Sequence, residues 1–273
     1  MRAGLDRSVR WSVGHATSVY RGLVFGRLRY PALRLRPSTQ RTVDDALLEL
    51  GFDPVALDSA RDDFDVVQAV LLAELADRAR AIAGEQLADH LLDRLQAAQE
   101  NRRLVYYVTR LLRPDVVVET GTFRGTISAF VLQGLADVGA GRLVSLDLPA
   151  HKPIRHAVAA SLPPGTEPGW IIPERLRDRF ELILGDSRKT LPVVLTREQR
   201  IDVFIHDSLH TTRHMLFEFG NAWPYLRPGG VLLSDDIFMT PAYWWFTRRK
   251  RVPFLHLGNL GVTRKPELEA NRR

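Results

Sequence analysis

The chain carries two hydrophobic patterns, one after the other. Between residues 43 and 112 apolar positions recur at helical spacing, with Leu87, Leu91, Leu95 and Ala98 on one stripe and Leu104, Val108 and Leu111 on another. Arg113-Pro114 closes that stretch, because proline cannot continue a helix. From Val116 onward short apolar runs take over: Val116–Val118, Leu143–Leu146, Phe180–Leu184, Ile201–Ile205 and Val231–Leu233. Each run ends in a polar or acidic residue and is followed by a segment of helical spacing. Strands apolar on both faces, alternating with helices, predict a parallel sheet covered on both sides. Pro163-Pro164-Gly165 and Pro168-Gly169 mark a loop, and Arg227-Pro228-Gly229-Gly230 reads as a tight turn into the fifth strand. The expected architecture is α/β, Rossmann-like and doubly wound, with a helical N-terminal region. It divides into an arm over 1–41, helices over 42–99 and the α/β domain over 100–273.

Charge changes this picture at one end only. Residues 1–41 hold nine Arg against Asp6 alone, so most of the net charge of +6 belongs to the arm and the body is close to neutral. The arm interleaves Trp11, Val19, Tyr20, Leu23, Val24 and Leu28 at roughly helical spacing. Two readings stay open: a helix lying on anionic lipid at the inner membrane surface, or an arm packed on its own domain or a partner subunit with its Arg solvated. Nucleic acid is not an expected partner, since no recognition module follows. Cys is absent, which excludes disulfides, thiolate zinc sites and Cys nucleophiles and fits a cytoplasmic location. Neither a bilayer-length apolar run nor a signal peptide is expected.

In doubly wound sheets ligands bind at the carboxyl ends of the strands. Those ends read Glu119-Thr120-Gly121-Thr122, Asp147, Gly185-Asp186-Ser187, Asp207 and Asp235-Asp236. Gly121 and Gly125 let a ligand approach the backbone at a helix start. The dinucleotide fingerprint and the P-loop are both missing, as is the G-x-S-x-G elbow that a Ser208 hydrolase would need. A rim of carboxylates disfavours pyrophosphate and suits a ligand with a cationic end and a ribose, whose hydroxyls Asp147 is placed to accept.

With these stretches the chain resembles the class I S-adenosylmethionine-dependent methyltransferases. "VETGTFRGTIS" (118–128) is similar to their first motif, "RLVSLDL" (142–148) to the ribose-binding strand end and "ELILGDSRKTLP" (181–192) to the adenine-side turn. "IDVFIHDSLHTTRH" (201–214) and "LRPGGVLLSDDI" (226–237) resemble the fourth and fifth strand ends, and "LGNLGVTRK" (257–265) a last strand. The order of motifs is most similar to small catechol-type O-methyltransferases and to bacterial sugar and macrolide relatives. The resemblance implies a seven-stranded, mostly parallel sheet and donor contacts from Glu119, Thr120, Gly121, Thr122, Gly125, Thr126, Asp147, Asp186, Ser187 and Asp207. It also implies Mg²⁺ held by Asp207, Asp235 and Asp236, and His210 as general base where those relatives carry Lys. His in place of Lys, and Asp236 in place of Asn, each change the charge of the site by one unit.

The chemistry expected is methyl transfer to a hydroxyl of a small molecule such as a sugar, an aromatic or a polyketide-like product, with Asp207 and His210 catalytic. Bland readings stand beside it. Asp207 can cap a helix starting near Ser208, His210 can be a core or surface histidine, and Asp235-Asp236 a solvated strand end. His206 reads as structural, and His214, one turn after His210, as its orienter or as exposed. Met215, Phe219 and Trp223 read as core. Tyr243, Trp244 and Trp245 wall an acceptor pocket, or seat a helix or a second copy of the chain. A nucleoside-binding or membrane-associated scaffold, a nicotinamide oxidoreductase and an aminopropyltransferase-like enzyme remain the alternatives.

Overall fold

The computed structural model describes residues 42–85, 88, 99–149 and 162–267. The arm over 1–41 and the stripe residues Leu87, Leu91, Leu95 and Ala98 lie outside them. The first helix, α1 (Val43–Glu49), starts on a capping box in which Thr42 and Asp45 exchange side-chain and backbone hydrogen bonds. The next, α2 (Pro54–Ala83), starts on Asp53, whose carboxylate accepts from Val55 and Ala56 N–H, with Pro54 in the first turn where its missing N–H costs nothing. Then comes α3 (Gln99–Leu112), which stops before Pro114 as the sequence predicts. Among the described residues no helix is long and apolar enough to cross a membrane.

The sheet follows: β1 (Val116–Thr120), α4 (Thr126–Val138), β2 (Arg142–Asp147), β3 (Phe180–Leu184), α5 (Ser187–Glu198), β4 (Ile201–His206), α6 (Thr212–Tyr225), β5 (Leu226–Ser234), α7 (Ala242–Lys250), β6 (Leu255–Leu257) and β7 (Leu260–Arg264). Seven strands lie in the order β3-β2-β1-β4-β5-β7-β6. All neighbours are parallel except at β7, which runs against both β5 and β6.

Strand periodicity divides the interior in two. Leu143, Val117, Val203 and Val231 stand side by side across four strands and face a core built with α1 to α4. Their neighbours Val144, Val118, Phe204 and Leu232 form the next row and face α5, α6 and α7. Each central strand therefore buries both faces, which is why it reads as an unbroken apolar run. Only the edge strand β3 breaks the rule, with Glu181 paired to Arg142 and Arg197.

Two expectations need correction. The segment 257–265 is not one strand, because the chain turns at Gly258-Asn259 and makes the β6–β7 hairpin, with Gly258 at φ 53°. Arg227–Gly230 is not a turn before the fifth strand but a bulged start of it. Leu226 pairs with Ile201 and Val231 with Val203, and Arg227 uses the slack to place its Nε 2.6 Å from buried Asp202. Asp202 also accepts from Asp115 and Val116 N–H, both at 2.9 Å, so this carboxylate ties down the amino ends of the central strands.

The N-terminal helices are not an appendage. Phe64 of α2 is fully buried and meets Tyr106 and Tyr107 of α3 and Phe130 of α4 at centroid distances of 5.6, 5.6 and 6.2 Å. Phe64→Ala is expected to lower stability by about 3–5 kcal/mol. Urea unfolding followed by circular dichroism and by tryptophan fluorescence should stay coincident in parent and variant. Two separated transitions would mean that the helices do not share the sheet's core.

Candidate active site at the carboxyl rim

The rim is built by continuing the sheet's ladder one residue past each strand. Gly121 N–H donates to Leu146 O, Asp207 to Thr120 O, Gly185 to Asp147 O and Asp235 to His206 O, each at 2.8 Å. The crevice opens between β1 and β4, where the strand order reverses. Gly121 is indispensable there. Its φ is +88°, and a Cβ on it would stand 2.0 Å from the carbonyl oxygen of Asp207.

On the glycine-loop side, Gly125 (φ +94°) leads into α4 with a Cβ-sized space already filled by Ile172 at 2.7 Å. Asp147 folds onto the glycine loop. Its carboxylate accepts from Thr122 and Phe123 N–H at 2.9 and 2.7 Å and from Leu148 N–H at 2.6 Å. Burial pushes its carboxyl above the usual range, with the three N–H groups pulling the other way. Thr122 is buried with its hydroxyl unpartnered. Thr126 begins α4. Asp186 caps α5 through Arg188 N–H, and the Arg188 guanidinium holds its carboxyl down at about 2. Ser187, the next residue, lies 3.1 Å from His214 Nε2.

Two residues predicted for the ligand lie inside instead. Glu119 is 1% exposed and takes the hydroxyls of Ser128 and Ser145 on one oxygen at 2.6 and 2.5 Å. It braces β1, β2 and α4 beneath the glycine loop. Thr120 is fully buried and donates to Glu218 at 2.6 Å.

Past the ends of β4 and β5, Asp207, His210 and Asp235 converge, each offering a ligand atom, and these atoms lie within 4.8 Å of one another. Burial first, and then repulsion among Asp207, Asp235 and Asp236, pushes the carboxyls of Asp207 and Asp235 well above the ordinary range. Among the described residues no Lys or Arg forms an ion pair with these three acids. A divalent cation fits such a donor set, but the third member is His210 and not Asp236 as expected. Asp236 has left-handed backbone (φ 50°), and its carboxylate accepts from the Asn259 side chain. His210 Nδ1 still lies 3.9 Å from it.

The helix after β4 also begins later than expected. Thr211, not Asp207, is its cap, accepting from His214 N–H, so His210 sits in the loop between strand and helix. Burial first, and then the neighbouring His206, pushes the His210 imidazole down to about 4, so it is neutral at pH 7. His206 is fully buried on the α6 side of the sheet, and His214 bonds to Glu218 rather than to His210. Tyr243 and Phe246 seat α7 on the core through Phe219 and Trp223, while Trp245 is exposed.

The strand order, the one reversed strand and a glycine loop facing acids across the switch point define the class of fold: Rossmann-like and doubly wound. Residues 118–237 match the sequence model of a family described as "Methyltransferase domain", and this part of the chain is similar to that family. No curated protein matches it by sequence. Three solved structures are similar in fold. A Podospora anserina methyltransferase bound to SAH is 17% identical, with TM-score 0.49, over 76% of this chain and 96% of that one. A Bacillus cereus O-methyltransferase in complex with SAH is 16% identical, with TM-score 0.48, over 71% and 91%. A Geobacter sulfurreducens methyltransferase is 19% identical, with TM-score 0.44, over 62% and 79%. Likenesses this distant carry no assignment of substrate.

Burial pushes the Glu119 carboxyl up to about 7, with the Ser128 and Ser145 hydroxyls opposing. A raised acid binds its proton more tightly folded than unfolded, so its contribution is full at low pH and is lost as pH rises from the ordinary carboxylate range to about 7. Glu119→Gln should remove about 3 kcal/mol of that pH-dependent loss. Urea midpoints at pH 5 and pH 8 check it, and a pH dependence equal to the parent's would clear Glu119 as its source.

Proposed function

We propose that the protein transfers the methyl group of S-adenosylmethionine to a hydroxyl oxygen of a small molecule, assisted by a divalent cation such as Mg²⁺. The observation that carries this reading is the convergence of Asp207, His210 and Asp235 opposite the glycine loop, with no Lys or Arg ion-paired to these acids among the described residues. The donor half would use Gly121 and Gly125 for close approach, Thr122 and Ser187 as hydrogen-bonding groups, and Asp147 for the ribose.

Methyl transfer is an in-line displacement: the acceptor oxygen forms a bond to the methyl carbon as the carbon–sulfur bond breaks, and the electron pair leaves with sulfur. The donor is already activated, so holding the two partners in line is the larger part of the task and supplies about 7–11 kcal/mol. Asp207, His210 and Asp235 would hold the cation, which favours ionisation of a hydroxyl bound to it. His210 is neutral and so able to receive the hydroxyl proton or to act as a ligand. Alone it is a weak base for an alcohol, because its imidazole is pushed down to about 4. The exposed apolar residues Leu209 and Met239, which flank His210 and Asp236 in sequence, favour an acceptor with an apolar face.

Calorimetric titration of the metal-stripped protein with S-adenosylhomocysteine, without and then with Mg²⁺, is the direct test. Binding is expected, with a separate Mg²⁺ signal that is lost in Asp235→Asn. Asp147→Ala should weaken S-adenosylhomocysteine binding. His210→Ala should leave that binding intact while turnover falls by about a hundredfold or more. No binding of S-adenosylhomocysteine under either condition would overturn the reading.

A further inference from the structure

Behind the rim lies a carboxylate that neither the donor half nor the acceptor half of the site accounts for. Glu218 sits in the middle of α6, is fully buried, and has no Lys or Arg beside it among the described residues. Four side chains reach it. His206 Nδ1 and the Thr120 hydroxyl are each 2.6 Å from Oε2, His214 Nε2 is 2.8 Å from Oε1, and the Ser208 hydroxyl is 3.0 Å from both oxygens. Burial pushes the Glu218 carboxyl up, but the hydrogen bonds from His206 and His214 override it and hold it well below the usual range. It is therefore ionised at neutral pH and can only accept.

That fixes the direction of every hydrogen bond in the cluster. His206 must carry its proton on Nδ1. Its Nε2 is buried without a partner, and its ring stands edge-on to that of His210 at 5.2 Å. His214 must carry a proton on Nε2. That one proton already goes to Glu218 Oε1 at 2.8 Å, so the Ser187 hydroxyl, 3.1 Å from the same nitrogen, can at most share it as a second acceptor and cannot donate to it, which leaves its own proton pointing elsewhere. Ser187 is the first residue of α5, three residues past the end of β3, on the rim.

We infer that Glu218 is a positioning residue for both halves of the site, setting His206 as the Nδ1–H tautomer beside His210 and, through His214, turning the Ser187 hydroxyl proton toward the methyl donor. The Ser187 half rests on the methyltransferase reading above. The His206 half does not.

The test uses the full chain labelled with ¹⁵N-histidine, read by long-range ¹H–¹⁵N correlation that separates Nδ1–H from Nε2–H, together with S-adenosylhomocysteine titration. In the parent, His206 is expected as Nδ1–H and His214 as Nε2–H. Glu218→Gln can both donate and accept, so it should mix the tautomers of both rings and weaken S-adenosylhomocysteine binding about tenfold. Unchanged tautomers and unchanged affinity, even with lowered thermal stability, would reduce Glu218 to a packing role and overturn the inference. Should Glu218→Gln not fold, His214→Gln removes the link to Ser187 and one of the four donors to Glu218, while leaving the His206–Glu218 hydrogen bond in place. Affinity should then fall with the His206 signal unmoved, and an unchanged affinity overturns the Ser187 half. A parent protein that binds no S-adenosylhomocysteine would sink the methyltransferase reading and the Ser187 half with it, while the tautomer measurement would still decide the His206 half.

Discussion

The contact between β1 and β4 is the constraint from which the rest of the rim follows. These two strands are neighbours in space, yet β2 and β3 intervene between them in the chain, so each must leave the sheet on a different side. The crevice that results is narrow at its floor. The backbone of Gly121 passes so near the Asp207 carbonyl that a single methyl group would collide with it at 2.0 Å. Any other residue at 121 would part the strands, and with them the glycine loop and the acids that face it. Donor-side and acceptor-side groups are thereby fixed by one backbone contact, independently of the side chains that do chemistry.

Much of this could be read from residues alone, for a definite reason. A strand buried on both faces has few polar positions to dilute its signal, so β1, β2, β4 and β5 stand out and their ends can be read in order. The hairpin β6–β7 could not be separated from a single strand, because Gly258-Asn259 is short and its flanks continue the same apolar alternation. Arg227–Gly230 has the composition of a turn, and only its tertiary partner Asp202 explains why it remains in the sheet as a bulge. Among site residues, His210 and Asp207 were legible by position after a strand. Asp236 was not distinguishable from Asp235, since adjacent acids differ only in a left-handed backbone that sequence does not display.

Glu218 was missed although it left a trace. Met215, Phe219 and Ala222 line the buried stripe of α6, and Glu218 falls on that same stripe one turn after His214. A carboxylate on a buried helical face needs compensation, and the histidines at 206 and 214 are two of the four side chains that supply it. The signal lay in the conflict between residue type and stripe position, which a search for apolar spacing passes over.

The buried and half-buried acids of this region divide by what surrounds them. Glu218 is saturated with donors and held low, Glu119 has two hydroxyls and rises to about 7, and Asp207 and Asp235 are pushed up by burial and by the neighbouring acids. A cation has nothing to gain at Glu218, where every lone pair is taken. It would gain more at Asp207 and Asp235, where it would relieve repelling carboxyls. The ordered hydrogen bonds behind the rim and the crowded acids upon it are thus one residue apart, at His206, the last residue of β4, and Asp207 just beyond it.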